Sequence, residues 1–248
     1  MLHYPIPWGL AFRIVGSILV RETRSFQEDA HTCIEKLPAQ LQVFGQEHIP
    51  SSGPGLLTIN HYYRPGFHAW WLPLAVSSLV PSKVHWVMTA ALTFPGQPYA
   101  SLRTWVSRRI LAKIAWVYDF SPMPAMPPDP EQVSDRAQAV RQILAYIRKT
   151  PNPLLGLAPE GYDNLAGGLM WPPSGVGRFI YHLSRYGLEI FPIGVYESET
   201  SLCLRFGEPY RLDIQEGVSP DQRDCYAIEE VMHHIAALLP RSLRGVFS

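Results

Sequence analysis

Hydrophobic and polar positions along the chain follow two alternating periods. Short apolar runs bounded by Gly, Pro and Ser predict strands. They are "LQVFG" at 41–45, "LLTI" at 56–59, "VHWVM" at 84–88, "AWVYDF" at 115–120, "PLLGLA" at 153–158, "EIFPIGV" at 189–195 and "SLCLRFG" at 201–207. Apolar residues three and four apart predict amphipathic helices between them. One helix carries Trp105, Ile110 and Ile114. A second carries Ala137, Val140, Leu144 and Ile147. A third starts near Gly177, turns Phe179, Ile180 and Leu183 inward and stops at Gly187. The last has Ile228, Val231, Met232, Ile235 and Leu239 on one face and ends at Pro240. Helical signals also run through the N-terminal region to about Leu37. Strands alternating with helices predict an α/β fold: a mostly parallel central sheet with helices on both faces and a helical N-terminal segment. Residues 1–38 form that segment and residues 39–248 the α/β domain, in one structural unit overall.

One stretch fits neither period. Residues 121–131, "SPMPAMPPDPE", hold five prolines. Each lacks an amide donor, so the stretch is expected as a rigid extended loop without a central strand.

Composition narrows the function classes. Of 248 residues 47% are apolar, enough for a sizeable core. Lys+Arg and Asp+Glu both number 21, so the formal charge is zero and no nucleic-acid partner is expected. Three scattered cysteines, Cys33, Cys203 and Cys225, form no metal or redox pattern and suit a reducing compartment. The most apolar segment, "WGLAFRIVGSILV" at 8–20, is interrupted by Arg13 and too short to span a bilayer. It can lie on a membrane interface or pack on the protein itself.

Three segments carry candidate chemistry. "NHYYRPGFH" follows the strand at 56–59, and "APEGYDN" follows the strand at 153–158. Ligands of parallel sheets gather at strand carboxyl ends, so His61 and Glu160 are well placed. "PPSGVGR" opens a helix whose N-terminus favours anions, although it lacks phosphate-loop spacing. The first two also have structural readings: a structural histidine, and a turn with a solvated glutamate.

Taken together and in order, these segments resemble the glycerolipid acyltransferases of the lysophosphatidic acid acyltransferase (PlsC-like) type. "LQVFGQEHIPSSGPGLLTINH" is similar to their opening strand, Gly-x-Glu and Asn-His. "APEGYDN" looks like their Pro-Glu-Gly-Thr-Arg block, and "GLEIFPIGVYE" and "LRFGEPY" like the two strands that follow. The resemblance implies a glycerolipid-acyltransferase-like fold and an O-acyltransferase. Such an enzyme moves a fatty acyl group from acyl-CoA or acyl-carrier protein to a hydroxyl of a lipid-like acceptor, with no further cofactor and no metal. It implies His61 and Glu160 as catalytic residues, His61 being the general base. Asn60, Arg64, Gly161, Tyr162 and Arg178 are implied to bind substrate. The implied setting is cytoplasmic, peripheral at the inner membrane face, in phospholipid biosynthesis.

The chain departs from that pattern in three places. The family has Asp five residues after its His; here that residue is Gly66. Tyr63, His68, Asp119 and Glu160 are the candidates to orient His61 instead. A catalytically impaired acyl-binding relative is the alternative reading. The family's Thr-Arg becomes Tyr162-Asp163, which trades a phosphate-binding cation for an anion. Arg64 or Arg178 could supply the lost charge. Finally, a family strand that usually ends in Asp-Arg is replaced by "VYDFSPMP", with Asp119 but no Arg.

Overall fold

The computed structural model describes residues 2–94, 96–125, 130–214 and 217–248. Among them seven strands form one sheet: β1 (Gln40–Phe44), β2 (Gly55–Ile59), β3 (Val84–Thr89), β4 (Ser121–Met123), β5 (Leu154–Leu157), β6 (Glu189–Glu197) and β7 (Ser201–Phe206). The spatial order is β1-β7-β6-β2-β5-β3-β4. All pairings are parallel except the β6–β7 hairpin. The sheet is therefore mostly parallel, as the alternating pattern predicts.

Seven α-helices cover it: α1 (Trp8–Val20), α2 (Phe26–Glu35), α3 (Trp71–Leu79), α4 (Ala100–Tyr118), α5 (Val133–Lys149), α6 (Val176–Ser184) and α7 (Pro220–Ala237). The central strands β2 and β5 are buried along their whole length. The two-residue side-chain period divides their apolar groups between two layers. Leu57 and Ile59 face a core shared with Ala30 and Cys33 of α2 and Trp71 and Leu72 of α3. Leu56 faces a second core with Ile143 of α5, Ile180 of α6 and Val231 and Ile235 of α7.

Sequence reading missed α3. Its segment "WLPLAVSSL" is buried nearly all round, so no polar face marks a helical period. The strand expected at 115–120 is a correction. Those residues belong largely to α4, which runs to Tyr118 and is capped by Asp119 at a positive φ of 56°. Ala115, Val117 and Tyr118 are buried while Trp116 is exposed, so the apolar run is the last turn of a helix, not a strand. The strand comes later, inside the proline-rich stretch, where Ser121–Met123 pairs with Val87–Thr89 at the sheet edge. An edge strand needs amide donors on one side only, so Pro122 is tolerated there. Residues 126–129 of that stretch lie outside the described residues.

Two remote segments dock beside the carboxyl end of the sheet. Tyr4 packs edge-on against Phe67 at 4.9 Å and beside Trp71, and the Leu2 carbonyl accepts from Arg64 Nη2 at 2.7 Å. The turn at 241–247 pairs with Leu169, whose amide donates to the Leu243 carbonyl and whose carbonyl accepts from Val246. Phe247 stacks on Trp171.

Candidate active site

β2 and β5 are neighbours in parallel register, with Thr58 opposite Leu157. Three residues beyond each lie His61 and Glu160. Equal offsets on adjacent parallel strands bring these two together at the carboxyl end of the sheet. Glu160 is 1% exposed. Its carboxylate accepts from the backbone amide of His61 at 2.7 Å and from that of Met170 at 3.0 Å. Burial raises the Glu160 carboxyl above its usual range, and the two amides oppose that shift. Glu160 therefore works here as a clamp between the loop after β2 and the loop after β5.

Asn60 extends the sheet by one more link. Its side chain donates to the Val195 carbonyl at 2.8 Å and accepts from the Val195 amide at 2.6 Å. This imitates a peptide unit, so the β2–β6 ladder continues through a side chain, and His61 leaves the sheet in a defined direction. The His61 ring is mostly covered, at 18% side-chain exposure. Its Nδ1 is buried and makes no aligned hydrogen bond among the described residues; Asp163 Oδ1 lies 3.1 Å from it.

Asp163 is the residue that sequence reasoning missed. It was read as the loss of a cation, not as a carboxylate for His61. Three of the four candidates considered for that role have other partners. Asp119 precedes β4 and so lies at the opposite end of the parallel sheet, paired with Lys83 at 2.7 Å. Glu160 binds the His61 backbone and not its ring. The ring of His68 stacks on Trp70. The available signal was an acidic residue three positions after Glu160, in the loop that follows an apolar strand.

Of the two arginines considered for an acceptor phosphate, Arg64 has its guanidinium engaged, whereas Arg178 is engaged through its backbone amide. Both the Nε and the Nη2 of Arg64 bind the Glu197 carboxylate, the latter at 2.7 Å, and Tyr62 donates to the same group. The amides of Gly175 and Arg178, at the start of α6, donate to Asp224 of α7 at 2.7 and 2.8 Å. Asp224 thus fills the anion position that the helix terminus offers. Gly177 belongs to this contact, since a Cβ there would meet the Asp224 carbonyl oxygen at 2.0 Å. The "GVG" segment is therefore a helix-packing device. The Arg178 side chain is about half exposed, 4.0 Å from Asp221. Tyr162 is exposed at the rim.

Beside these loops lies an apolar cavity of about 170 Å³. Met88, Met123, Val140, Val176 and Phe179 form its walls, and Arg136 also lines it. Pro159 and Gly161, which flank Glu160, contribute to the lining; His61 does not.

Among solved structures, the fold is similar to that of the 1-acyl-sn-glycerophosphate (LPA) acyltransferase PlsC from Thermotoga maritima. The TM-score is 0.52 over 86% of this chain and 76% of that one, with 13% of residues identical. No model of a known protein family matches the chain, and no curated protein does.

Proposed function

We propose that the protein is an O-acyltransferase that moves a fatty acyl group from an acyl-CoA or acyl-carrier-protein thioester to a lipid-like hydroxyl. One observation carries this reading. His61 and the Pro-Glu-Gly turn meet at the carboxyl ends of adjacent parallel strands, next to an apolar cavity. A hydroxyl is a weak nucleophile near neutral pH, and a positioned base supplies about 10²–10⁴ in rate. With Nδ1 turned inward, Nε2 is the nitrogen left for substrate. The acceptor O–H gives its proton to Nε2 while its oxygen attacks the thioester carbonyl. Collapse of the adduct breaks the C–S bond, and Nε2 returns the proton to the thiolate. The products are an ester and a free thiol.

The apolar cavity suits part of the acyl chain; cavities of this size and lining hold small hydrocarbons. The acceptor headgroup carries no phosphate. Arg64 is bound to Glu197, the start of α6 is capped by Asp224, and Asp163 adds negative charge beside His61. PlsC, by its name, acts on a glycerophosphate; on this reading the two proteins differ in acceptor.

The site works at a bilayer surface. α1 exposes Trp8, Phe12, Val15 and Leu19 at helical spacing, and α4, packed beside it, exposes Leu102, Trp105, Val106, Ile110 and Trp116. α4 also carries Arg103, Arg108, Arg109 and Lys113 with no acidic residue. Apolar and basic groups on two adjacent helices suit an interface with anionic lipid. Among the described residues no helix is long and apolar enough to cross a membrane.

The test is transfer from labelled long-chain acyl-CoA and acyl-carrier protein to monoacylglycerol and to lysophosphatidic acid. Product with the first acceptor, little with the second and none from His61→Ala is the expected outcome. Full activity in His61→Ala would end the mechanistic assignment.

A further inference from the structure

The ring of His61 has a buried Nδ1 with no aligned hydrogen bond, and buried polar atoms in folded proteins almost always have partners. The carboxylate at 3.1 Å belongs to Asp163, on the loop after β5, and not to the loop that carries His61. We propose that Asp163 is the positioning residue of His61: it accepts Nδ1–H and so leaves Nε2 unprotonated toward the acceptor, in place of the carboxylate absent at Gly66. This rests on His61 being the general base.

Three observations support the assignment. First, the Asp163 loop is built to hold its place. Asn164 Oδ1 accepts from the Ala166 amide at 3.0 Å, and its Nδ2 donates to the Gly168 carbonyl at 2.6 Å. The Gly167 amide returns to the Asn164 carbonyl at 2.9 Å. Second, Glu160 ties both ends of that loop to the chain at His61 through the amides of His61 and Met170. Backbone hydrogen bonds on either side therefore hold the segment that carries Asp163 beside His61. Third, the other carboxylates nearby are engaged. Glu160 is used by backbone amides and Glu197 by Arg64 and Tyr62.

An orienting carboxylate acts by fixing the imidazole tautomer, and losing it from a serine-protease triad costs about 10⁴ in rate. Here the Asp163 side chain is 47% exposed. Water can replace part of the interaction, so the expected effect is smaller, on the order of 10- to 100-fold in kcat, with the donor KM little changed.

The test compares wild type with Asp163→Asn, Asp163→Ala and Asp163→Glu. Ring ¹⁵N chemical shifts of His61 at mildly alkaline pH report the tautomer, and acyl transfer reports kcat. Wild type and Asp163→Glu should hold the Nδ1–H form; Asn and Ala should move toward Nε2–H and lose kcat. An unchanged tautomer in both Asn and Ala, or a wild-type ring already in the Nε2–H form, overturns the proposal. A tautomer shift in a wild-type background that acylates no acceptor upholds the contact and rejects the acyltransferase reading. The spectroscopic and kinetic arms therefore fail separately.

Discussion

Lowering the pH should weaken the packing of β3 against β4 and α5 through one buried histidine. His85, on β3, is 3% exposed. Its Nε2 lies 2.8 Å from Ser121 Oγ of β4, and its ring stacks at 3.8 Å on Tyr146 of α5. Burial pushes its pKa from 6.5 down to about 4; Lys83 adds to that shift, and Asp119 opposes it. The unfolded chain therefore takes up a proton near pH 6.5, while the folded chain resists until about pH 4. His85 contributes full stability above pH 6.5 and loses it as pH falls toward 4. Each pKa unit corresponds to about 1.4 kcal/mol, so the loss is about 2 kcal/mol at pH 5 and about 3 kcal/mol near pH 4. Urea unfolding of wild type and His85→Gln at pH 7, 5 and 4 measures it. Gln does not titrate, so wild type should lose that much more stability than the variant over the interval. The raised Glu160 carboxyl has the opposite sign, favouring the folded state as pH falls, but it is present in both proteins and cancels in the difference. Equal losses in the two proteins would refute the reasoning.

Asp224→Asn should lower unfolding stability by about 2 kcal/mol, because the amides of Gly175 and Arg178 lose their charged acceptor; denaturant titration reads the change. Gly66→Asp, which restores the residue type of the family motif, should fail to raise activity and should destabilise by about 1 kcal/mol or more. Gly66 has φ +82°, a region that L side chains rarely adopt, and the assay is acyl transfer together with thermal unfolding. The Phe12→Asp, Leu19→Asp double variant should lose most co-sedimentation with anionic vesicles while keeping its thermal midpoint, since both side chains are exposed. Unchanged vesicle binding would remove α1 from the membrane face.

The central strands were legible in the sequence because burial on both faces writes continuous apolar runs, as in "LLTI" and "PLLGLA". Their adjacency was not, since strand order depends on crossovers that no local pattern records. The boundary near residue 120 was misread because Val117, Tyr118 and Phe120 look alike whether a helix or a strand presents them. His61 and Glu160 were legible as strand-end residues. Their surroundings were not: Glu160 holds a backbone amide, and the carboxylate 3.1 Å from the ring belongs to Asp163, more than 100 positions away in sequence. The engagement of Arg64 by Glu197 and the capping of α6 by Asp224 are long-range pairings of the same kind. A charge read from sequence looks available until its partner is known.

The docking of residues 2–6 and 241–247 has a practical consequence for handling this molecule. Flanking segments of a domain are commonly trimmed, tagged or fused on the assumption that they bear no load. Here Leu2 and Tyr4 brace the loop that follows His61, and the 241–247 turn braces the loop that carries Asp163. Shortening either segment, or attaching a bulky fusion to it, would loosen one side of the proposed site while leaving His61, Glu160 and Asp163 in the sequence. Loss of activity in such a variant would report lost scaffolding, not lost chemistry.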